Sequence, residues 1–154
     1  MRENAIAGAI SLPADSRGRP VGVDAHPHLE ELLIDDNHLR SLRGIEAVRH
    51  LTMFTASNNQ LQDTAGGGAL AALKSLDLSA NLLSTCDELS SMVSLRSLNL
   101  ASNSLKAEGA KYVADAIKEN VSVLRFIWYH FELDLTFGST AVVYGYCYGN
   151  TTKG

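Results

Sequence analysis

One frame recurs four times at a constant interval, and it constrains this chain more than any other feature. Leu29-x-x-Leu32-x-Ile34-x-x-Asn37-x-Leu39 opens the series, and Leu51-x-x-Phe54-x-Ala56-x-x-Asn59-x-Leu61 follows. Then come Leu73-x-x-Leu76-x-Leu78-x-x-Asn81-x-Leu83 and Leu95-x-x-Leu98-x-Leu100-x-x-Asn103-x-Leu105. The first residues stand at 29, 51, 73 and 95, a step of 22 each time. A period of this size means a stack of like units. No unit can cover its own apolar side, so neighbours must cover it and the end units must differ.

Within each unit the alternation x-Leu-x-Leu-x is that of a short strand with one buried face. Strands repeated at a fixed step stack in parallel and form one side of a solenoid. The apolar residues at the frame's first and last positions fill the interior at the bends. Where the chain leaves the strand, its backbone groups point inward without ladder partners. A side-chain amide both donates and accepts, so Asn37, Asn59, Asn81 and Asn103 are expected to form a structural column that satisfies those turns.

The units are not identical. The return of the second contains Ala65-Gly66-Gly67-Gly68, which predicts an irregular convex side there. Residues 106–120, the return of the fourth, carry Ala110, Val113, Ala114 and Ile117 at helical spacing. The next frame begins at Val123, 28 residues after Leu95, with Phe126 and Trp128 on apolar positions and Phe131 replacing Asn. Counting back from Leu29 gives Ala7, Ile10 and Leu12 in frame, with Asp15 at the Asn position, a degenerate repeat or N-terminal cap. Pro13, Gly18 and Pro20 mark residues 11–22 as a loop. The expected division is a cap at 1–28, a repeat domain at 29–133 and an atypical tail at 134–154. Residues 126–154 hold eight aromatics, among them Tyr144, Tyr146 and Tyr148 on alternate positions. That tail reads as a terminal cap, with a partner-binding edge strand as the alternative.

Through residues 29 to about 133 the chain resembles the leucine-rich-repeat superfamily. Leu42, Ile45 and Val48 after the first strand, and Cys86, Leu89 and Met92 after the third, make it look like the 22-residue class. That class is seen in a regulator of protein phosphatase 1 and in axonemal dynein light chains. The longer fourth unit is similar to a ribonuclease-inhibitor repeat. The resemblance implies an α/β solenoid: a curved stack with a parallel concave sheet of four or five strands and a convex side of mixed turns and helix.

Composition narrows the function. Of 154 residues 45% are apolar and 19% charged, and the net charge is -4 without a run of like charge. Direct nucleic-acid binding is disfavoured, because it usually needs a basic excess. No apolar stretch reaches the roughly 18 residues of a membrane span. Cys86 and Cys147 lie in different contexts and form no terminal disulfide set, so a reducing, cytoplasmic compartment is expected. By resemblance the setting would be cytoskeletal or ciliary.

Catalytic constellations are missing, so an enzyme is not expected and no cofactor is implied. The Gly66-Gly67-Gly68 run lacks the Lys-Ser/Thr pair of a phosphate loop at the required spacing. His26, His28 and His38 lie near Asp35 and Asp36, but their places in the frame do not share one geometry, so a metal site is not expected. Cys86 takes an interior Leu position and reads as a core residue.

The resemblance places binding on the concave face. Its expected residues are Glu31, Leu33, Asp35, Met53, Thr55, Ser57, Ser75, Asp77, Ser97 and Asn99, with Ser79 and Ala101 in the same frame. Arg125, Ile127 and Tyr129 continue it if the fifth frame is real. The expected function is a protein-binding adaptor or regulatory subunit. Two alternatives are an RNA-associated ribonucleoprotein component and a fragment of a larger GTPase-regulating or nucleotide-sensing repeat protein.

Overall fold

The computed structural model describes residues 28–105, the helix at 107–119, and short strands at 7–8, 11–12, 21–22 and 125–127. The tail at 134–154, Tyr129 and His26 lie outside the described residues.

Five strands form one parallel sheet: β4 (Glu31–Leu33), β6 (Met53–Thr55), β7 (Ser75–Asp77), β8 (Ser97–Asn99) and β9 (Arg125–Ile127), in that order. Their registers step by the sequence period. Glu31 pairs with Met53, Met53 with Ser75 and Ser75 with Ser97. Ser97 then pairs with Arg125, 28 residues on, because the longer fourth unit inserts a helix between the two strands. Before each of three strands a single carbonyl starts the ladder: Glu30 O accepts from Thr52 N (2.8 Å) and Met53 N (3.1 Å), and Thr52 O and Lys74 O repeat the pattern.

The middle residue of each of β4, β6, β7 and β8 points into the core: Leu32, Phe54, Leu76 and Leu98 are all buried. Ile34, Ala56, Leu78 and Leu100 stack beside them, and Leu39, Leu61 and Leu83 close the turn side. Each Leu, Ile or Phe among them contributes roughly 1.5–3 kcal/mol by leaving water.

The Asn column holds the turns. Asn81 Nδ2 donates to Leu78 O (3.0 Å) in its own unit and to Ala56 O (2.9 Å) in the preceding one. Its Oδ1 accepts from Leu61 N (3.0 Å). Asn59 and Asn103 repeat this three-way bridge, and Asn37 bonds Ile34 O and Asp35 O. The turn that presents each amide is left-handed at the residue before it. Asp36, Asn58, Ala80 and Ser102 all have φ between 52° and 56°. Asp and Asn tolerate that conformation better than Ala or Ser, for which it costs about 1–2 kcal/mol.

The convex side of the second unit is regular, contrary to the expectation from its glycines. A 3-10 turn at Gly67–Ala69 matches those at Ile45–Ala47 and Asp87–Ser91. Gly44 and Gly66 share the same left-handed φ, 99° and 98°. Thr64 takes the buried place of Leu42 and Cys86, and Gly67 that of Ile45 and Leu89. Neighbours fill the lost volume, since a Cβ on Gly67 would lie 2.7 Å from Met92 Cε. Glu88 also reaches across from the third unit, its Oε2 accepting from Gly66 N (3.0 Å) and Gly68 N (2.6 Å).

The helix α1 (Ala107–Glu119) packs on the Asp87–Ser91 turn. Among its residues of described burial Gly109, Val113 and Ala116 are buried and Ala114 is half-buried; Ala110 and Ile117 of the expected stripe lie outside that description. Gly109 lets the helix approach closely: a Cβ there would lie 2.6 Å from Ser84 O. At the other end, β1 (Ala7–Gly8) pairs in parallel with β5 (His38–Leu39). β2 (Ser11–Leu12) and β3 (Val21–Gly22) form an antiparallel pair. Residues 9 and 10, which the frame counted back to Ala7 would set beside β4, lie outside the described residues.

Two substitutions test this packing. Asn81→Leu orphans several buried backbone groups at about 1–3 kcal/mol each. Its melting temperature should fall by more than about 5 °C, and an unchanged melting curve would refute the column's role. Gly109→Ala should gain about 1 kcal/mol from helix propensity, yet lose more to the clash with Ser84. A raised melting temperature in Gly109→Ala would mean that the close approach does not constrain the helix.

Candidate functional site

Alternation along each strand sends one residue into the core and the residues on either side of it to the sheet's open face. The 22-residue register then aligns those outward residues into rows across the sheet, neighbours within a row standing about 4.8 Å apart. One row is Glu31, Met53, Ser75, Ser97 and, by backbone register, Arg125. The next is Leu33, Thr55, Asp77, Asn99 and, again by backbone register, Ile127. A third, just past the strands, is Asp35, Ser57, Ser79 and Ala101. Every expected concave residue within the described strands falls in these rows, but Ala101 is buried.

The rows differ in how much of their polar chemistry is already used. Asp35 Oδ2 accepts from Thr55 Oγ1 (2.9 Å), and its Oδ1 accepts from the amide (2.8 Å) and hydroxyl (2.9 Å) of Ser57. Asp77 Oδ1 accepts from the amide (2.9 Å) and hydroxyl (2.6 Å) of Ser79. Its Oδ2 accepts from Asn99 Nδ2 (2.9 Å), while Asn99 Oδ1 accepts from Ala101 N (3.1 Å). These groups tie adjacent strands together, with little hydrogen-bonding capacity left over.

The first row is different. Glu31 is exposed and Met53 is 36% exposed, the one large apolar side chain at that level of exposure among the described strand residues. Ser75 and Ser97 are half-buried. Immediately before the strands stand Glu30, Lys74 and Arg96, all exposed. Neither Lys74 nor Arg96 stands out in the sequence as a binding residue. The signal that could have found them is the same 22-residue step, 30, 52, 74 and 96.

The other candidate chemistries come apart in three dimensions. The Gly66 and Gly68 amides, which could have cradled a phosphate, are occupied by the Glu88 carboxylate. His28 stacks near His50, with ring centroids 5.6 Å apart, whereas His38 Nδ1 faces Gln60 Nε2 at 3.4 Å. Among the described residues no three His, Cys, Asp or Glu side chains gather in a metal-binding group. Cys86 is fully buried. Burial, then the neighbouring Asp87 charge, pushes its thiol up from 9.0 to about 12.

That shift makes the thiol inert at neutral pH. In a Cys147→Ser background, native Cys86 should react with a thiol reagent orders of magnitude more slowly than the unfolded chain. Because its folded pKa is raised, the folded state keeps a proton that the unfolded state loses between pH 9.0 and about 12. Stability should therefore fall as pH rises through that window. Removing the thiol in Cys86→Ala should flatten this part of the alkaline slope; equal slopes would mean that Cys86 contributes nothing to it.

No protein-family model matches the sequence, and no curated protein does either. Solved structures are similar. An internalin from Listeria monocytogenes is 24% identical with a TM-score of 0.63, over 69% of this chain and 30% of that one. A leucine-rich-repeat protein of Leptospira interrogans is 27% identical with a TM-score of 0.58, over 63% and 26%. The LRIM1/APL1C complex is 25% identical with a TM-score of 0.50, over 91% and 24%. This chain thus spans less than a third of the length of each. The repeated frame, the parallel register and these likenesses agree on one architecture: the chain folds as a curved leucine-rich-repeat solenoid.

Proposed function

We propose that this chain is a protein-binding module, an adaptor or regulatory subunit that docks its partner on the concave sheet. The observation that carries the reading is the division among the rows. Asp35, Asp77 and Asn99 spend their polar atoms within the sheet, while Glu31, Met53, Ser75 and Ser97 face outward without side-chain hydrogen bonds among the described residues. An exposed Met set among small polar residues is the kind of anchor on which interface energy concentrates. The LRIM1/APL1C neighbour, itself a complex, supports a partner-binding role for a chain of this architecture. The constant 22-residue register and the 3-10 returns support membership of the 22-residue class. The buried free thiol of Cys86 fits a reducing, cytoplasmic setting.

The test is affinity capture from a lysate of the organism that encodes the chain, read by quantitative mass spectrometry. The native chain is compared with a Leu33→Glu, Met53→Glu, Ser75→Arg variant of unchanged melting temperature. Asp77 is left intact, because reversing its charge would break the bonds to Ser79 and Asn99. Partners held by the native chain and lost from the variant, by tenfold or more, are the expected result. Equal capture by both would remove the concave face from consideration.

A further inference from the structure

Most carboxylates of the repeat stack are already engaged. Asp35, Asp36, Glu46, Asp63, Asp77 and Glu88 each accept at least one hydrogen bond from the chain itself. Glu30 and Glu31 do not: their carboxylates meet no donor among the described residues, and both are exposed. They stand side by side at the start of β4. At the same level, two and three strands away, Lys74 and Arg96 are exposed and likewise have no side-chain partner among the described residues. Arg125 occupies the next register position beyond Ser97. The rim where the strands begin is thus acidic at one end and basic at the other, with Met53 exposed on the strand beside the acidic pair.

The separations are set by the sheet. Strands lie about 4.8 Å apart, so Glu30 and Lys74 are roughly 10 Å apart across the sheet, and Glu30 and Arg96 roughly 14 Å. An extended chain covers that span in three or four residues. The geometry points to a partner of matching polarity. We infer that this rim recognises an extended peptide segment with a Lys or Arg, an apolar residue one or two positions away, and an Asp or Glu three or four positions from the basic residue. The basic group faces Glu30 and Glu31, the apolar one covers Met53, and the acidic one faces Lys74 and Arg96. A uniformly anionic partner, such as nucleic acid or an acidic lipid surface, fits less well. Its charge would meet Glu30 and Glu31 within about one Debye length of the basic end. The inference rests on the concave-face reading and names the chemistry of its partner.

The experiment selects displayed random 12-residue peptides on the full chain, then measures the best binders by fluorescence anisotropy. Enrichment of the stated pattern, in either chain direction, is the expected result. Glu30→Lys with Glu31→Lys, and separately Lys74→Glu with Arg96→Glu, should each weaken binding about tenfold or more, mainly through association rate at low salt. The fourfold reversal should prefer peptides with the two charges exchanged. Unchanged melting temperatures show that these exposed substitutions leave the fold intact. Failure to enrich the pattern, or less than a threefold effect of the reversals, overturns the proposal. If the reversals do nothing while the Leu33→Glu, Met53→Glu, Ser75→Arg variant still loses its partners, the rim is wrong and the concave face stands. Self-association lost on charge reversal would also overturn it, by making a second copy of the chain the occupant.

Discussion

The asparagine amide at each turn is the interaction on which the rest of the structure depends. Each of Asn59, Asn81 and Asn103 donates to a carbonyl three residues back and to another 25 residues back, while accepting from an amide 20 residues back. One side chain therefore closes its own turn and fastens it to the preceding unit. No aliphatic residue can do both, and Asp could accept but not donate. The cost of forming the turn falls on the residue before the amide, which is held left-handed in all four units. Stability in such a stack is a sum of unit and nearest-neighbour terms, and this amide contributes to both.

Coupling of that kind also explains the departures from the pattern. The second unit has less bulk on its convex side, where Thr64 and Gly67 occupy positions at which its neighbours carry Leu42, Ile45, Cys86 and Leu89. It keeps the same turn because residues of adjacent units supply what is missing. Met92 enters the space above Gly67, and Glu88 bonds the Gly66 and Gly68 amides. A loop that resembles an anion cradle in sequence is one in structure too, but its anion belongs to the protein.

Much of this architecture was legible in the residues because a strict period carries positional information without any knowledge of contacts. The parallel register, the 28-residue step to β9 and the helix in the fourth return all follow from where apolar residues recur. Three things were not legible. The regular turn at Gly67–Ala69 depends on side chains 20 or more residues away, which local composition cannot report. The role of Gly109 depends on the proximity of Ser84 O, a packing distance with no sequence signature. And the antiparallel pairing of Ser11–Leu12 with Val21–Gly22 joins the two ends of a segment whose Pro13, Gly18 and Pro20 mark it only as a loop.

On the concave face the repeat also decides which polar groups are already engaged. A constant register brings equivalent positions into rows, so any polar residue there meets its counterpart from the next unit. Asp35 with Thr55 and Ser57, and Asp77 with Asn99, turn that proximity into cross-strand bonds. Such bonds stiffen the sheet and withdraw those groups from recognition. A partner docking on this face would draw affinity from positions where neighbouring units are mismatched, because fewer groups there are bonded within the sheet. Met53 has Ser75 beside it and Glu31 has Met53, while the acid-to-base change from Glu30 to Lys74 is interrupted by Thr52. In a solenoid built on repetition, the places where the repeat breaks are where specificity can reside.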